Sequence, residues 1–503
     1  MEQKVSSKTS QETINAIVWK ACDTFRTTMD SSQYKDYVLT MLFVKYLSDF
    51  YREKIEELKA KHGDNQERIQ KSLSREKFKL DEKCTFEYLL KHKESENLGE
   101  EIDKVLDRIE EDNKEKLDGV FREISFNSEA VFGRTKEKNK ILKNLLEDFA
   151  DVRLDLRPSI LKDNDVIGDS YEYLISHFAG DAGKKGGEFF TPSAVSTLLS
   201  KLVEAKEGDR IYDPTCGSGS LLIKASKEVK SDNFRIYGQE SKSATVALCK
   251  MNMFLHNIND SVIEWGDTIG NPLHLENEHL MKFDVVVANP PFSLDKWGAQ
   301  NASEDRYKRF ERGVPPKSKG DYAFLLHMIA SLNEHGRMGV VLPHGVLFRG
   351  ASEGKIRKQL IEDDNLLDAV IGLPANLFFG TSIPACIMVF KKGRTSTDVL
   401  FIDASTKEHF NKAKNQNFID DKHIQKILDT YTNKKTEEKY SHIATLQEIQ
   451  ENDYNLNIPR YVDTFEEEEI VDIEATKINI QNIEKELVEI KSKMRGYLKE
   501  LGL

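Results

Sequence analysis

The tetrapeptide Asn289-Pro290-Pro291-Phe292 follows the apolar run FDVVVA and carries the most specific chemistry of the chain. An exocyclic base amine such as adenine N6 is a poor nucleophile, because its lone pair is delocalised into the ring. Two acceptors that take both amino hydrogens draw the nitrogen toward tetrahedral geometry and free that pair. The Asn289 side-chain oxygen and the Pro290 carbonyl can supply them. The paired prolines, Pro290 and Pro291, fix the turn, so the acceptors are preorganised. Phe292 offers a face on which an extruded base can stack, worth about 1–3 kcal/mol, against an extrusion cost of about a few kcal/mol. Taken alone, the four residues also read as a plain proline turn after a strand; their neighbours decide.

Upstream, Asp213-Pro214-Thr215-Cys216-Gly217-Ser218-Gly219-Ser220 stands between the strand start RIY and the apolar LLI, giving strand, glycine turn and helix. Glycines let the backbone turn tightly and approach a ligand. The next strand ends in Tyr237-Gly238-Gln239-Glu240, where a carboxylate can accept from both ribose hydroxyls of an adenosine cofactor. A third ends in Gly266-Asp267-Thr268, placing Asp267 to accept from the cofactor's adenine amine. The turn lacks G-x-x-x-x-G-K-[ST], and Leu222 stands where G-x-G-x-x-G would end, so neither a phosphate cradle nor a dinucleotide fits well. A ligand with ribose and no pyrophosphate does, and S-adenosylmethionine is one. Before the turn, Gly187-Glu188-Phe189-Phe190-Thr191-Pro192 opens a helix, with Thr191 expected at the N-cap, Pro192 at the first helical position, and Leu198 and Leu199 on the apolar face. Methylation at cytosine C5 needs a cysteine nucleophile, commonly presented after proline. The chain has no Pro-Cys pair, and Cys216 reads as a small packing residue.

These motifs need a scaffold. From about 166 to 445, β-rich runs such as RIYDP, FRIYGQE, FDVVVANPPF, GRMGVVLP and LLDAVIGLP alternate with helical stretches. That alternation predicts an α/β fold with a Rossmann-like, doubly wound, mostly parallel sheet. Ligands in that architecture sit beyond the carboxyl ends of strands, where the polar motifs fall. Residues 1–165 read as an N-terminal helical domain: Ile17, Ala21, Phe25, Met29 and then Tyr37, Met41, Val44, Leu47 recur at helical spacing, and no proline precedes Pro158. Residues 446–503 read as a C-terminal helical extension. Its Ile480, Ile483, Leu487, Ile490, Met494, Tyr497 and Leu501 form a heptad seam of about three repeats, equally suited to folding back on this chain's core or to docking on another subunit.

The bulk numbers narrow the setting. No apolar run approaches the roughly 20 residues that span a bilayer, and the N-terminal MEQKVSSKTSQETINAI lacks the apolar core of a secretory signal, so a cytoplasmic location is expected. The five cysteines are scattered without a C-x-x-C pair, and no metal site is expected. Net charge is -12, from 85 acidic and 73 basic residues. A protein that grips DNA alone usually carries a basic footprint, so DNA contact here must be local or supplied by a partner.

In order along the chain, GEFFTP, DPTCGSGSLL, YGQE, ANPPF, DYAFLLHM, GVVLPHGVLF, Ile356-Arg357 and YNLNIPRYV resemble the methylation (modification) subunit of bacterial type I restriction–modification systems, over nearly the whole length. The resemblance implies transfer of a methyl group from S-adenosylmethionine to adenine N6 in double-stranded DNA, with the target adenine flipped out, which protects host DNA from restriction. Glu188, Phe189, Phe190, Thr191, Pro192 and Ser193, together with Gly217, Ser218, Gly219 and Ser220, would line the cofactor site, with Glu240 on the ribose. Asn289, Pro290 and Phe292 would hold the adenine. It also implies partners: a DNA-specificity subunit, a second copy of the methylation subunit, and in some systems a restriction/translocase subunit. The acidic charge agrees with such a division of labour, and the C-terminal seam becomes the candidate for docking on the specificity subunit.

The segment Asp295 to Lys319 shows no periodicity and carries Lys296, Arg306, Lys308, Arg309, Arg312, Lys317 and Lys319. It is expected to order over the target strand and contact phosphates. Methylation of RNA or of a protein glutamine is disfavoured by Phe292, where such enzymes commonly have tyrosine, and by the flanking domains. A silent scaffold would have no chemical need for Asn289 and Glu240.

Overall fold

The computed structural model describes residues 8–26, 29–63, 65–162, 165–182, 190–414, 416–464 and 473–500. Helix α1 (Gln11–Arg26) buries Ile14, Ile17, Val18, Ala21, Cys22 and Phe25, the i, i+3, i+4 stripe of an amphipathic helix. Helix α2 (Ser31–His62) buries Tyr37, Met41, Val44 and Leu47, the residues whose spacing predicts it. With α3 (Leu98–Asp112), α4 (Thr135–Phe149) and α5 (Val166–Ala182) they enclose one apolar core. Aromatic rings lock it edge to face, as where Tyr37 meets Phe126 and Phe132 at 5.1 and 4.9 Å. In the polar residues after α2, Ile69 and Leu73 of a short helix turn inward.

The catalytic half is a nine-stranded sheet: β1 (Arg210–Asp213), β2 (Arg235–Glu240), β3 (Val262–Trp265), β4 (Phe283–Ala288), β5 (Leu332–Pro343), β6 (Leu367–Gly372), β7 (Ala385–Lys391), β8 (Val399–Asp403) and β9 (Ser441–Ala444). Their spatial order is β3-β2-β1-β4-β5-β7-β6-β8-β9. Strands β1 to β5 run parallel, β7 is antiparallel between β5 and β6, and β9 is antiparallel at the edge. The inner strands are covered on both faces: β6, LDAVIG, is buried at every residue, and its one charged side chain, Asp368, is paired with Arg394, Lys391 and Lys434. Helices α6 (Ser193–Val203), α7 (Ser220–Lys227), α8 (Ser243–Leu255) and α9 (Asp321–Ser331) supply the covering layers. Because β1 to β4 are parallel and in register, Asp213, Glu240, Asp267 and Asn289 all leave the sheet at one edge.

The boundaries expected at 165/166 and 445/446 both fall inside packed cores. Val166, Ile167, Tyr171, Leu174, Ile175 and Phe178 of α5 belong to the N-terminal helical core, because the apolar face of α5 meets α1 and α2 rather than the sheet. Ile449, Leu456, Ile458, Tyr461 and Val462 belong to the core of the sheet. Tyr461 stacks on Phe401 of β8 at 3.9 Å, and the Leu456 N–H donates to the Leu347 carbonyl. The chain thus divides into a unit ending at Val462 and one starting at Asp463. The second unit holds α10 (Ile473–Glu500), on which Ile480, Ile483, Leu487, Ile490, Met494 and Tyr497 are exposed. Leu501, the last seam residue, lies outside the described residues. Among the described residues no helix is long and apolar enough to cross a membrane.

Candidate active site

The Asp213–Ser220 turn is tied down before any ligand arrives. Gly217 and Gly219 adopt positive φ of 53° and 81°, backbone that L side chains rarely take. A Cβ at Gly219 would stand 2.7 Å from both Cys249 Sγ and Met253 Cε, so the turn is pressed closely onto α8. The Cys216 N–H donates to the Gln239 carbonyl, and Asn252 Nδ2 donates to the Ser218 carbonyl at 2.9 Å. Cys216 is buried, as its reading as a packing residue requires. Glu240, 8% exposed, closes the other side. Its Oε2 accepts from the Gly217 N–H at 3.2 Å, and its Oε1 accepts from Ser241 Oγ and the Lys242 N–H. Oε2 keeps a lone pair, and the carboxylate is held in one orientation at a strand end.

Asp213 is fully enclosed. Its Oδ1 accepts from the Thr215 N–H at 2.8 Å. Burial, reinforced by the charge of Glu240, pushes its carboxyl up to about 8. Asp267 is exposed, and its Oδ1 accepts from the Ile269 N–H at 3.0 Å.

Asn289 stands in the wall of three spaces. A cavity of about 540 Å³ runs between the ends of β2 and β3 and the segment after β4, with Glu240, Asp267, Asn289 and Pro291 in its lining. A second, of about 390 Å³, is lined by Asn289, Pro290, Pro291 and Phe292 on one side and by Phe378, Phe379 and Ile383 on the other. Both volumes are in the range of roughly 300–1,000 Å³ typical of ligand sites. A narrow cleft between them is lined by Phe190, Thr191, Asp213, Gly217, Ser218, Ser220 and Asn289. Asn289 Nδ2 donates to Thr191 Oγ1 at 3.0 Å, while its buried Oδ1 has no hydrogen-bond partner among the described residues. A buried acceptor without a donor costs about 1–3 kcal/mol, so this oxygen is available to a ligand N–H. Phe292 lies edge to face with Phe378, ring centroids 5.7 Å apart.

Most of the expected site residues therefore converge, with some exceptions. Glu188 and Phe189 lie outside the described residues. Thr191 is not the N-cap: α6 starts at Ser193 with Pro192 at the cap, because the Thr191 hydroxyl is engaged with Asn289. Gly219 shapes the turn and Ser193 faces a different cavity. The basic segment 295–319 is also built differently from expectation. Trp297 and Phe310 pack together, and Arg309, 4% exposed, binds Asp305 and donates to the Thr268 and Ile269 carbonyls. Arg312 pairs with Asp364 at 2.5 Å. The segment is a pinned wall of the larger cavity, to which it contributes Lys296, Trp297, Gln300 and Asn301. Sequence reasoning missed that wall; Trp297, the lone large aromatic at the start of a polar stretch, was the available signal. Phe378 and Ile383, the far wall of the smaller cavity, gave none.

Comparison with known proteins agrees with this geometry. Residues 162–470 match the family described as N-6 DNA Methylase, and residues 14–149 match the HsdM N-terminal domain. The chain is 33% identical to the type I restriction enzyme MpnII methylase subunit of Mycoplasma pneumoniae, across 96% of this chain and 95% of that one. It is 32% identical to the MjaVIII methylase subunit of Methanocaldococcus jannaschii, across 98% and 86%. A crystal structure of the type I restriction-modification methyltransferase subunit from Streptococcus thermophilus superposes with a TM-score of 0.81 at 37% identity, over 91% of this chain and all of that one. Sheet order, the Asn289 turn and these relatives converge on one assignment: the chain belongs to the N-6 DNA methylase family of type I restriction enzyme methylase subunits, S-adenosylmethionine-dependent adenine-N6 DNA methyltransferases.

Proposed function

We propose that the two larger cavities divide the reaction between them, and that Asn289 is their common catalytic residue. Glu240 would hold the cofactor's ribose, Asp267 its adenine, and Asp213 with the Gly217–Ser220 turn its aminocarboxylate end. The buried, oriented Glu240 and the glycine turn suit an adenosine with no phosphate. When bound, S-adenosylmethionine supplies an electrophilic methyl group. The smaller cavity takes the flipped adenine, stacked on Phe292. Asn289 Oδ1 and the Pro290 carbonyl accept the two N6 hydrogens and raise the nucleophilicity of the nitrogen. The apolar walls at Phe378 and Ile383 exclude water, so these hydrogen bonds act in a low dielectric. The single observation that carries this reading is the unpartnered Oδ1 of Asn289 at the junction of both spaces.

The finer assembly is part of the proposal: two copies of this chain beside one DNA-specificity subunit that reads the target, in the cytoplasm, with a restriction/translocase subunit joining in complete systems. The working division is a helical part ending with α5, a catalytic part to Val462, and α10 as the docking element. Its exposed seam matches what a partner's helix would cover. Deleting residues 475–503 should dissolve the complex with the specificity subunit on size-exclusion chromatography; an intact complex would remove α10 from that role. The reaction is tested by methylation-sensitive sequencing of DNA from cells that co-express this chain with its specificity subunit, wild type beside Asn289→Ala. N6-methyladenine at a split site in the first strain and none in the second is the expected result. No methyladenine in either would overturn the assigned reaction.

A further inference from the structure

Away from the reaction, three side chains that no step uses converge behind the cofactor turn. Asp169 and Glu172 sit one turn apart on α5, and His256 caps the end of α8; their ligand-type atoms all lie within 4.8 Å of one another. His256 is 7% exposed, yet neither of its ring nitrogens has a hydrogen-bond partner among the described residues. Glu172, 9% exposed, likewise has a buried Oε1 without a partner. A buried imidazole with both nitrogens idle is costly in a purely structural core. Its ring lies flat on Gly168, where a Cβ would come within 2.7 Å of three ring atoms. A larger residue there would displace the ring.

We infer that Asp169, Glu172 and His256 form a binding site for one divalent transition-metal ion, of which Zn²⁺ is the type. The donor set is one imidazole and two carboxylates, which suits Zn²⁺ rather than Ca²⁺ or Mg²⁺, the oxygen-bound cations. The surroundings resemble an outer shell. Lys224 Nζ stands 3.6 Å from Glu172 Oε2, and Lys227 Nζ stands 3.3 Å from Asp169 Oδ1. Each lysine steadies one oxygen of a carboxylate and leaves Glu172 Oε1 free. A cavity of about 280 Å³ with Asp169, Glu172, Ser193, Ser220 and Lys224 in its wall gives an ion a way in.

The position assigns the ion a structural task. Asp169 and Glu172 belong to α5, whose apolar face joins the helical core, and His256 to the end of a sheet-covering helix. Ser220, in the same cavity wall, ends the cofactor turn. A metal here would clamp α5 to α8 directly behind Gly217–Ser220.

The test uses the full chain stripped with EDTA and titrated with ZnCl₂ by calorimetry, then with CoCl₂ by visible absorption. Wild type should bind one equivalent of Zn²⁺, gain thermal stability with it, and give a Co²⁺ d–d spectrum with a nitrogen ligand. His256→Gln should weaken Zn²⁺ by more than about tenfold, the effect that outer-shell partners alone can have, and alter the Co²⁺ bands. Should His256→Gln fail to fold, the partly exposed Asp169→Asn replaces it, with the same losses expected. The inference is overturned if the stripped wild type binds no stoichiometric Zn²⁺, or if the folded variant binds with unchanged affinity and spectrum. None of these readouts involves methylation, so they stand or fall apart from the reaction proposed above.

Discussion

The two cavities that share Asn289 are built by different means. The larger, proposed for the cofactor, is walled by residues that follow β1, β2 and β3, and there Glu240 and Asp267 are held by backbone N–H groups of nearby loops. The base side has a single strand end, β4; its opposite wall comes from Phe378, Phe379 and Ile383 on the connection between β6 and β7. The larger space sets carboxylates among its walls and is completed by the segment after β4; the smaller is walled mainly by prolines and phenylalanines. On the proposed division the difference suits the ligands: a small molecule that always binds the same way can be met by fixed carboxylates, whereas a base swinging in from a duplex needs flat apolar faces that accept it during entry.

Replacing Asn289 tests what the two sides share, and has the largest expected effect. Asn289→Ala should lower kcat for methylation about 10²- to 10³-fold, the scale of removing one preorganised charge-stabilising group, while calorimetric affinity for S-adenosylmethionine changes little. Glu240→Gln breaks the cofactor side alone. Removing a charged hydrogen bond of about 1.5–3 kcal/mol should weaken cofactor binding about ten- to hundredfold, with DNA affinity in the assembled complex unchanged. Phe292→Ala breaks the base side alone: about 1–3 kcal/mol of stacking should appear as a rise in KM for DNA and reduced fluorescence of 2-aminopurine extrusion signals, with cofactor Kd constant. If either variant moved both constants together, the division between the cavities would be wrong.

A pH series sharpens the cofactor side. Asp213 has its carboxyl raised to about 8, so below that pH it carries a proton that a cationic ligand group must expel. Affinity for S-adenosylmethionine should rise with pH up to about 8 and level off above, falling about tenfold for each pH unit below that value; Asp213→Asn should flatten the slope. In the ligand-free protein the sign is opposite for stability. The raised carboxyl favours the fold fully below the ordinary carboxylate range, and that contribution is gone once pH has climbed through 8. The smallest effect concerns the segment after β4. Neutralising the exposed Lys296 and Lys317 should reduce the salt slope of DNA binding by about 0.9 for each phosphate no longer neutralised, whereas neutralising Arg312, already paired with Asp364, should leave the slope where it was.

How far all this is readable from sequence depends on the range of the interactions. The placement of Asn289, Glu240 and the glycine turn around the cavities is legible because a polar residue at the end of an apolar strand is a local pattern with a global meaning. Thr191 is misread as a cap because its hydroxyl is taken by a residue 98 positions away. Arg309 and Arg312 look like free cations, and only the fold brings Asp364, Thr268 and Ile269 to them. The boundary after 165 fails for a related reason: the apolar stripe of α5 is plain, but nothing local says which core it joins. Asp169 and Glu172 are a common helical spacing, and His256 acquires meaning only when α8 is laid against α5.

The Thr191–Asn289 hydrogen bond has a consequence for fidelity. With Nδ2 spent on Thr191, the amide presents only its oxygen to the base pocket. A deaminated adenine, hypoxanthine, is almost the same size and stacks as well on Phe292, but at position 6 it carries a carbonyl in place of the amine. It would set lone pair against lone pair, with no clash of volume to announce the error. On the proposed assignment, the orientation of a single amide would tell an intact base from a damaged one. A site with inosine in place of the target adenosine should bind more weakly, a difference visible in affinity alone, before any methyl group moves.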